Sequence, residues 1–179
     1  MRIIRGLYKG KKIIAPSNLP VRPTTDYAKE SLFNILENNL TLEDLNILDL
    51  FSGTGNIAYE FASRGAKFIS CVDINYHCFN FIQKTIQTLG ISNARVIKQD
   101  VFRYLKTTSA CYDLIFADPP YALEGINTLP DLVFEKKLLH SNGWLIIEHD
   151  ENSDFSSHEK FLFSKVYGKV NFSFFQQEE

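Results

Sequence analysis

The chain has 179 residues, 45% of them hydrophobic and 22% charged, a balance that suits one globular domain with a substantial core. It has no N-terminal apolar segment and no apolar run of about 18 residues, so secretion and membrane spanning are not expected and a cytoplasmic location is. The formal net charge of −2 hides an asymmetry: residues 1–30 carry a net of +5, leaving −7 on the remainder, so a basic end on an acidic body points one face at a polyanion.

Residues 1–15 hold two short extended runs around the turn Gly6-Leu7-Tyr8-Lys9-Gly10, a small hairpin pattern. Pro16, Pro20 and Pro23 make the next stretch an extended connection. Over residues 26–40, Ala28, Leu32, Ile35, Leu36 and Leu40 recur at helical spacing, with Thr25 or Asp26 as N-cap. Strand-like runs then follow at 46–51, 68–72, 94–97, 112–117 and 144–148, alternating with helical stretches at 57–64, 76–89, 101–105 and 128–139. That alternation predicts right-handed crossovers and a mainly parallel sheet with helices on both faces. Two β-rich runs, 161–167 and 169–175, meet at Gly168 and predict a C-terminal antiparallel hairpin. The organisation expected is a basic extension over residues 1–25 and one three-layer α/β domain over residues 26–179.

The cysteines (Cys71, Cys78, Cys111) are odd in number and lack metal-ligand spacing, and no metal site is expected. Cys71 and Cys111 adjoin or lie in apolar runs, which predicts buried free thiols. Trp144 is expected in the core of the fifth strand.

Chemistry enters at strand ends. Asp118-Pro119-Pro120-Tyr121 follows the apolar run 114–117 and puts a carboxylate, a stiffened backbone and a flat ring at the exit of a buried strand. Such an acid-Pro-Pro-aromatic run marks amino-group methyltransferases acting on nucleobases or, less often, on glutamine side chains. Asp49-Leu50-Phe51-Ser52-Gly53-Thr54-Gly55 leads from the first strand into a helix, and its glycines let the backbone turn tightly and approach a ligand. Position 58 is Ala, so the third glycine of the dinucleotide fingerprint is absent and a nicotinamide dehydrogenase is disfavoured. Asp73 closes the second strand 24 residues beyond Asp49, where a carboxylate can accept two ribose hydroxyl protons. Asp100 follows the third strand, placed to accept from an adenine amine, with Ile74 and Val101 as apolar surfaces on either side of the ring. Four acids after successive strands would line one edge of the sheet.

In their order these motifs resemble the Rossmann-like class I S-adenosylmethionine-dependent methyltransferases, which implies a seven-stranded sheet. More narrowly, Arg2-Ile3-Ile4-Arg5-Gly6, Lys9-Gly10-Lys11, Arg22-Pro23-Thr24-Thr25-Asp26 and Glu30-Ser31-Leu32-Phe33-Asn34 are similar to the bacterial 16S ribosomal RNA guanine-N2 methyltransferase family. Tyr27 and Arg5 depart from it, standing where Arg and Gly are usual. The resemblance implies that Phe51, Ser52, Gly53, Gly55 and the surrounding loop hold the methionine part of S-adenosylmethionine. Asp49 belongs to that motif, Asp73 takes the ribose, and Asp100 with Val101 takes the adenine. Arg22, Thr24 and Thr25 fold over the cofactor from the other side. Asp118 and the Pro119 carbonyl would accept the two hydrogens of guanine N2, and Tyr121 would stack on the base. Arg2, Arg5, Lys9, Lys11 and Lys12 would grip RNA phosphates. The implied partner is 16S rRNA, free or in an assembling small ribosomal subunit, and a monomer is expected. The alternatives are a DNA adenine-N6 or protein glutamine-N5 methyltransferase, and a non-catalytic ribosome assembly factor of the same fold.

Overall fold

The run 114–117, apolar at every position, and the run 47–50, apolar but for Asp49, can be buried on both faces only at the centre of a sheet. In the computed structural model, which describes residues 1–17, 19 and 25–178, they occupy that place. Seven strands lie in the order β3-β2-β1-β4-β5-β7-β6. β1 (Asn46–Leu50), β2 (Phe68–Asp73), β3 (Ala94–Lys98), β4 (Tyr112–Ala117) and β5 (Leu139–His149) run parallel. β6 (Phe161–Tyr167) and β7 (Val170–Gln176) form the antiparallel C-terminal hairpin, with β7 inserted between β5 and β6. The chain leaves β1 towards β2 in one direction and reaches β4 on its other side, so a topological switch point falls between β1 and β4.

Helices start where the sequence supplies caps. Thr25 accepts from the Ala28 amide at the start of α1 (Asp26–Asn39), Asn75 caps α3 (Tyr76–Leu89), and Asp100 caps α4 (Val101–Thr107). α1, α2 (Asn56–Ser63) and α3 cover one face of the sheet, packing on Ile47, Ile69, Phe116 and Ile146. α4 and α5 (Leu129–Glu135) cover the other, packing on Leu48, Ile115, Ala117 and Ile147. Among the described residues no helix is long and apolar enough to cross a membrane.

The N-terminal hairpin sits on the first face. Arg2 and Lys12 form an antiparallel bridge, and Ile3 and Ile13 are buried in that face's core. Gly6 has φ +86°, and a Cβ there would lie 1.8 Å from the Ser63 carbonyl oxygen, so only glycine allows this approach.

Two expectations are corrected. The helix expected over 128–139 is a 3-10 turn, Ile126–Thr128, and then α5, which stops at Glu135. Lys137 takes a left-handed conformation (φ +53°), and the Leu138 amide bonds back to the Val133 carbonyl, closing the helix. Leu138 and Leu139 extended the apolar helical period, but Leu139 already belongs to β5, paired with Tyr112. Cys71 and Cys78 are buried, whereas Cys111 is exposed, its thiol facing the Lys137 carbonyl at 3.4 Å. Trp144 lies in β5 against Phe163 and Phe174.

Candidate active site at the carboxyl edge of the sheet

Strand alternation decides where the acids go. Ile47 of β1, Cys71 of β2, Phe116 of β4 and Ile146 of β5 all face α1 to α3. Two residues further along, the same face therefore carries Asp73, Asp49, Asp118 and Glu148, in the spatial order β2-β1-β4-β5. Sequence reading identified three of these. Glu148, 3% exposed, was passed over as the end of an apolar strand, although an acid closing such a run was the signal used for the others.

The loop after β1 is held by its neighbours. Phe51 turns the chain with φ +56°, and the Ser52 hydroxyl donates to the Asp49 carbonyl at 2.7 Å. The Gly53 amide donates to Asp73 Oδ2 and the Asn75 amide to Asp73 Oδ1, both at 2.8 Å. Gly55 (φ +75°) opens α2, and a Cβ on it would stand 2.6 Å from the Tyr59 hydroxyl. Asp73 is thus fixed by two backbone amides, while each oxygen retains a second lone pair for a ligand.

Asp49 is 2% exposed, and its Oδ2 has no hydrogen-bond partner among the described residues. Burial first, then the negative charge of Asp73, push its carboxyl up to about 8. Because folding raises this pKa, the fold becomes less stable as pH climbs from 3.8 to about 8. A buried carboxyl oxygen left without a partner by the described residues, beside a glycine loop, fits a ligand that brings a positive charge or a donor.

The other expected contacts are partly engaged. Asp100 is exposed, and its Oδ1 caps α4 by accepting from the Arg103 amide at 2.8 Å. Ile74 is 66% exposed, as a ring-covering side chain would be, but Val101 is buried in the opposite core. Thr25 is exposed and caps α1, while Arg22 and Thr24 lie outside the described residues.

Asp118 leaves β4 with its amide directed at the Leu50 carbonyl (3.4 Å), across the switch point. Desolvation, then Glu148 and Asp49, hold its carboxyl well above the ordinary carboxylate range. Pro119 is buried, and the Leu123 amide donates to the Pro120 carbonyl at 2.8 Å, closing a turn. Tyr121, 47% exposed, stands on the outside of that turn.

The basic hairpin is fastened along α2. Glu60, fully buried, accepts from the Ile4 and Arg5 amides at 2.9 and 3.0 Å. Ser63 accepts the Leu7 amide on its carbonyl and the Tyr8 amide on its hydroxyl. Lys29, also fully buried, donates to the Arg2 carbonyl (2.6 Å) and to Asn56 Oδ1 (2.8 Å), with Glu60 at 3.5 Å. Neither Lys29 nor Glu60 was singled out from the sequence. Arg2, Arg5, Lys9, Lys11 and Lys12 are all exposed, but Arg5 pairs with Glu37 at 2.7 Å, and Arg2 with Asp26 at 3.9 Å. The hairpin tip docks at Ser63, the far end of α2 from the glycine loop, about 12 Å away for an eight-residue helix.

Comparison with known proteins adds to this geometry. The family model described as Conserved hypothetical protein 95 matches residues 1–176. Ribosomal RNA small subunit methyltransferase D of Buchnera aphidicola subsp. Baizongia pistaciae is 33% identical over 150 residues, 84% of this chain and 76% of that protein. The protein of that name from Escherichia coli K12 is 30% identical over 191 residues, 99% of this chain and 90% of that protein. The solved structure of yhhF from Escherichia coli matches with a TM-score of 0.88 at 26% identity, covering 100% of this chain and 98% of that one.

Proposed function

The chain belongs to the Conserved hypothetical protein 95 family, and from that premise we propose that it transfers a methyl group from S-adenosylmethionine to the N2 amine of a guanine in 16S rRNA. The observation that carries this reading is Asp118, a half-buried carboxyl followed by two prolines and an exposed ring at the switch point between β1 and β4.

The cofactor supplies an electrophilic methyl group on a positively charged sulfur. Residues 51–55 would hold its methionine part, where the unpartnered Asp49 Oδ2 suits a cationic ligand. Asp73, already oriented by two amides, would take the ribose hydroxyls. Ile74 would cover the adenine, with the second oxygen of Asp100 accepting from its amine. Val101 adds backbone position rather than open surface.

Transfer to an amine is governed by positioning. The N2 lone pair of guanine is delocalised into the ring. Asp118 and the rigid Pro119 carbonyl would accept both N–H hydrogens and turn that lone pair towards the methyl group. Tyr121 offers a ring for the base, worth about 1–3 kcal/mol in stacking. A base that must enter such a pocket is extruded from its helix or taken from a loop. Residues 1–25 would serve as the RNA-contacting extension and 26–179 as the methyltransferase domain, acting as a monomer in the cytoplasm.

Two outcomes test this. Calorimetry should show binding of S-adenosylhomocysteine, and Asp73→Ala should weaken it about 10–100-fold, the cost of losing charge-assisted hydrogen bonds. No binding by the unmodified protein removes the enzyme reading. Glu at positions 9, 11 and 12 should weaken rRNA binding and flatten the slope of log K against log salt by about 2–3 units. Equal binding by the variant would make these lysines a solvated surface.

A further inference from the structure

We propose that Tyr27 and Tyr167 form an aromatic step at the rim of the transfer site, which takes a base of the RNA strand flanking the target nucleotide while Lys165 and Lys169 hold that strand's phosphates. This inference rests on the reading above.

Topology brings the step to the edge where the acids lie. β5 ends at His149, opposite Asn171, and Tyr167 closes β6 opposite Val170, so the turn Gly168-Lys169 stands at the carboxyl edge of the sheet. Ala117 lies opposite Ile147, and the next cross-strand row runs from Asp118 through Glu148 and Phe172 to Lys165. Partners in a row share a face, so Lys165 and, two residues on, Tyr167 belong to the face of α1 to α3. Tyr167 packs against the core of that face. Three strand spacings separate β6 from β4, about 14 Å, a gap that a short run of unstacked nucleotides bridges.

The rings are held in place and still open to solvent. Tyr27, in the first turn of α1, meets Tyr167 edge-on with ring centroids 6.1 Å apart. Tyr167 leans on Phe172 at 6.2 Å, and Phe172 on Phe116 at 6.5 Å, which ties the step to the buried core beneath the acid row. Tyr27 nonetheless leaves 68% of its surface in water.

Charge selects RNA as the occupant. Lys165 and Lys169 are exposed on the hairpin side of the rings. On the other side Arg2, paired with Asp26 at 3.9 Å and bridged to Lys12, brings the basic N-terminal hairpin to the same end of α1. The step therefore lies between that hairpin and Asp118, with cations on both flanks. Unpaired bases stack on aromatic rings whatever their identity, and phosphate contacts fix the strand's register. Extruding a target base also unstacks its neighbours, and a ring beside the pocket replaces the lost stack.

The test is filter binding of 16S rRNA from cells that lack this protein, with no cofactor present. Tyr27→Ala should weaken binding about 5–150-fold, the worth of one stacked base, with the slope of log K against log salt unchanged. Tyr27→Phe should bind within about twofold of the wild type, whereas Tyr27→Leu, which keeps apolar bulk without a π-face, should bind like Tyr27→Ala. Glu at positions 165 and 169 should instead flatten the salt slope by about 1–2 units. Tyr27 is exposed, so its variants decide the matter should Tyr167→Ala fail to fold. Wild-type binding by Tyr27→Ala, as expected if a protein covers this face, overturns the proposal. Wild-type binding by Tyr27→Leu does so too, because the ring would then serve packing alone. A wild type that binds no rRNA also overturns it. A wild type that binds rRNA but not S-adenosylhomocysteine counts against the enzyme reading and leaves the step to be judged on its own variants.

Discussion

Asp118→Ala should lower kcat by about 10²–10³, or about 2.7–4 kcal/mol of transition-state stabilisation, while S-adenosylhomocysteine affinity stays within about twofold. The size follows from what the carboxyl faces. It sits beyond β4 in protein-dense surroundings, where an oriented acceptor contributes far more than in water. The separation from cofactor affinity follows from the loop geometry. Gly53 and Asn75 are tied to Asp73, and Ser52 to the Asp49 carbonyl, so none of these contacts runs through Asp118. Stopped-flow transfer with labelled donor, beside calorimetry, reads both quantities. Unchanged turnover would reduce Asp118-Pro119-Pro120-Tyr121 to a turn after a strand.

Lys29→Met should destabilise the fold by about 2–4 kcal/mol, because it leaves buried acceptors on Arg2, Asn56 and Glu60 short of a donor. Burial lowers the Lys29 pKa, an effect that the negative charge of Glu60 opposes. Arg64 and the Ile4 and Arg5 amides still reach Glu60 in the variant, which keeps the loss below that of a stranded charge. At about 2–4 °C per kcal/mol for a chain of this size, the melting temperature should fall on the order of 10 °C. Lys160→Ala is the matched control: its pair with Glu178 is at the surface, and its removal should cost no more than about 0.5 kcal/mol. Equal melting temperatures for both variants would mean that the hairpin is not fastened through Lys29.

The contrast between those two lysines shows what sequence patterns can and cannot reveal. Apolar spacing located the buried face of α1 through Ala28, Leu32 and Leu36, yet Lys29 on that helix is fully buried too. A charged residue gives no apolar signal, and its partners Arg2, Asn56 and Glu60 are distant in sequence, so nothing local marks it. Where local chemistry decides, the reading was close. Asn75 before residues 76–89 and Gly90 after them bound α3 at both ends. β4 and β6 likewise begin and end where alternation and turn residues put them. The overrun beyond Glu135 came from Leu138 and Leu139, whose spacing suits helix but whose burial is against a strand.

The acid row was legible in kind and not in environment. An acid after each apolar run identified Asp49, Asp73, Asp100 and Asp118. Only tertiary structure separates the buried Asp49 and Asp73 from Asp100, which stands exposed as a helix cap. Glu148 was hidden by its position inside the run taken as strand, and register with β4 is what brings it beside Asp118. Arg5 reads as a free cation in sequence, whereas Glu37, 32 residues away, already holds it.

Mass spectrometry of nucleosides from small-subunit rRNA, comparing cells that make this protein with cells that lack it, tests the central claim most directly. The expected result is the loss of one N2-methylguanosine, restored by the wild-type gene and not by the Asp118→Ala variant. An unchanged complement of methylated nucleosides, or the disappearance of a different one, would contradict it.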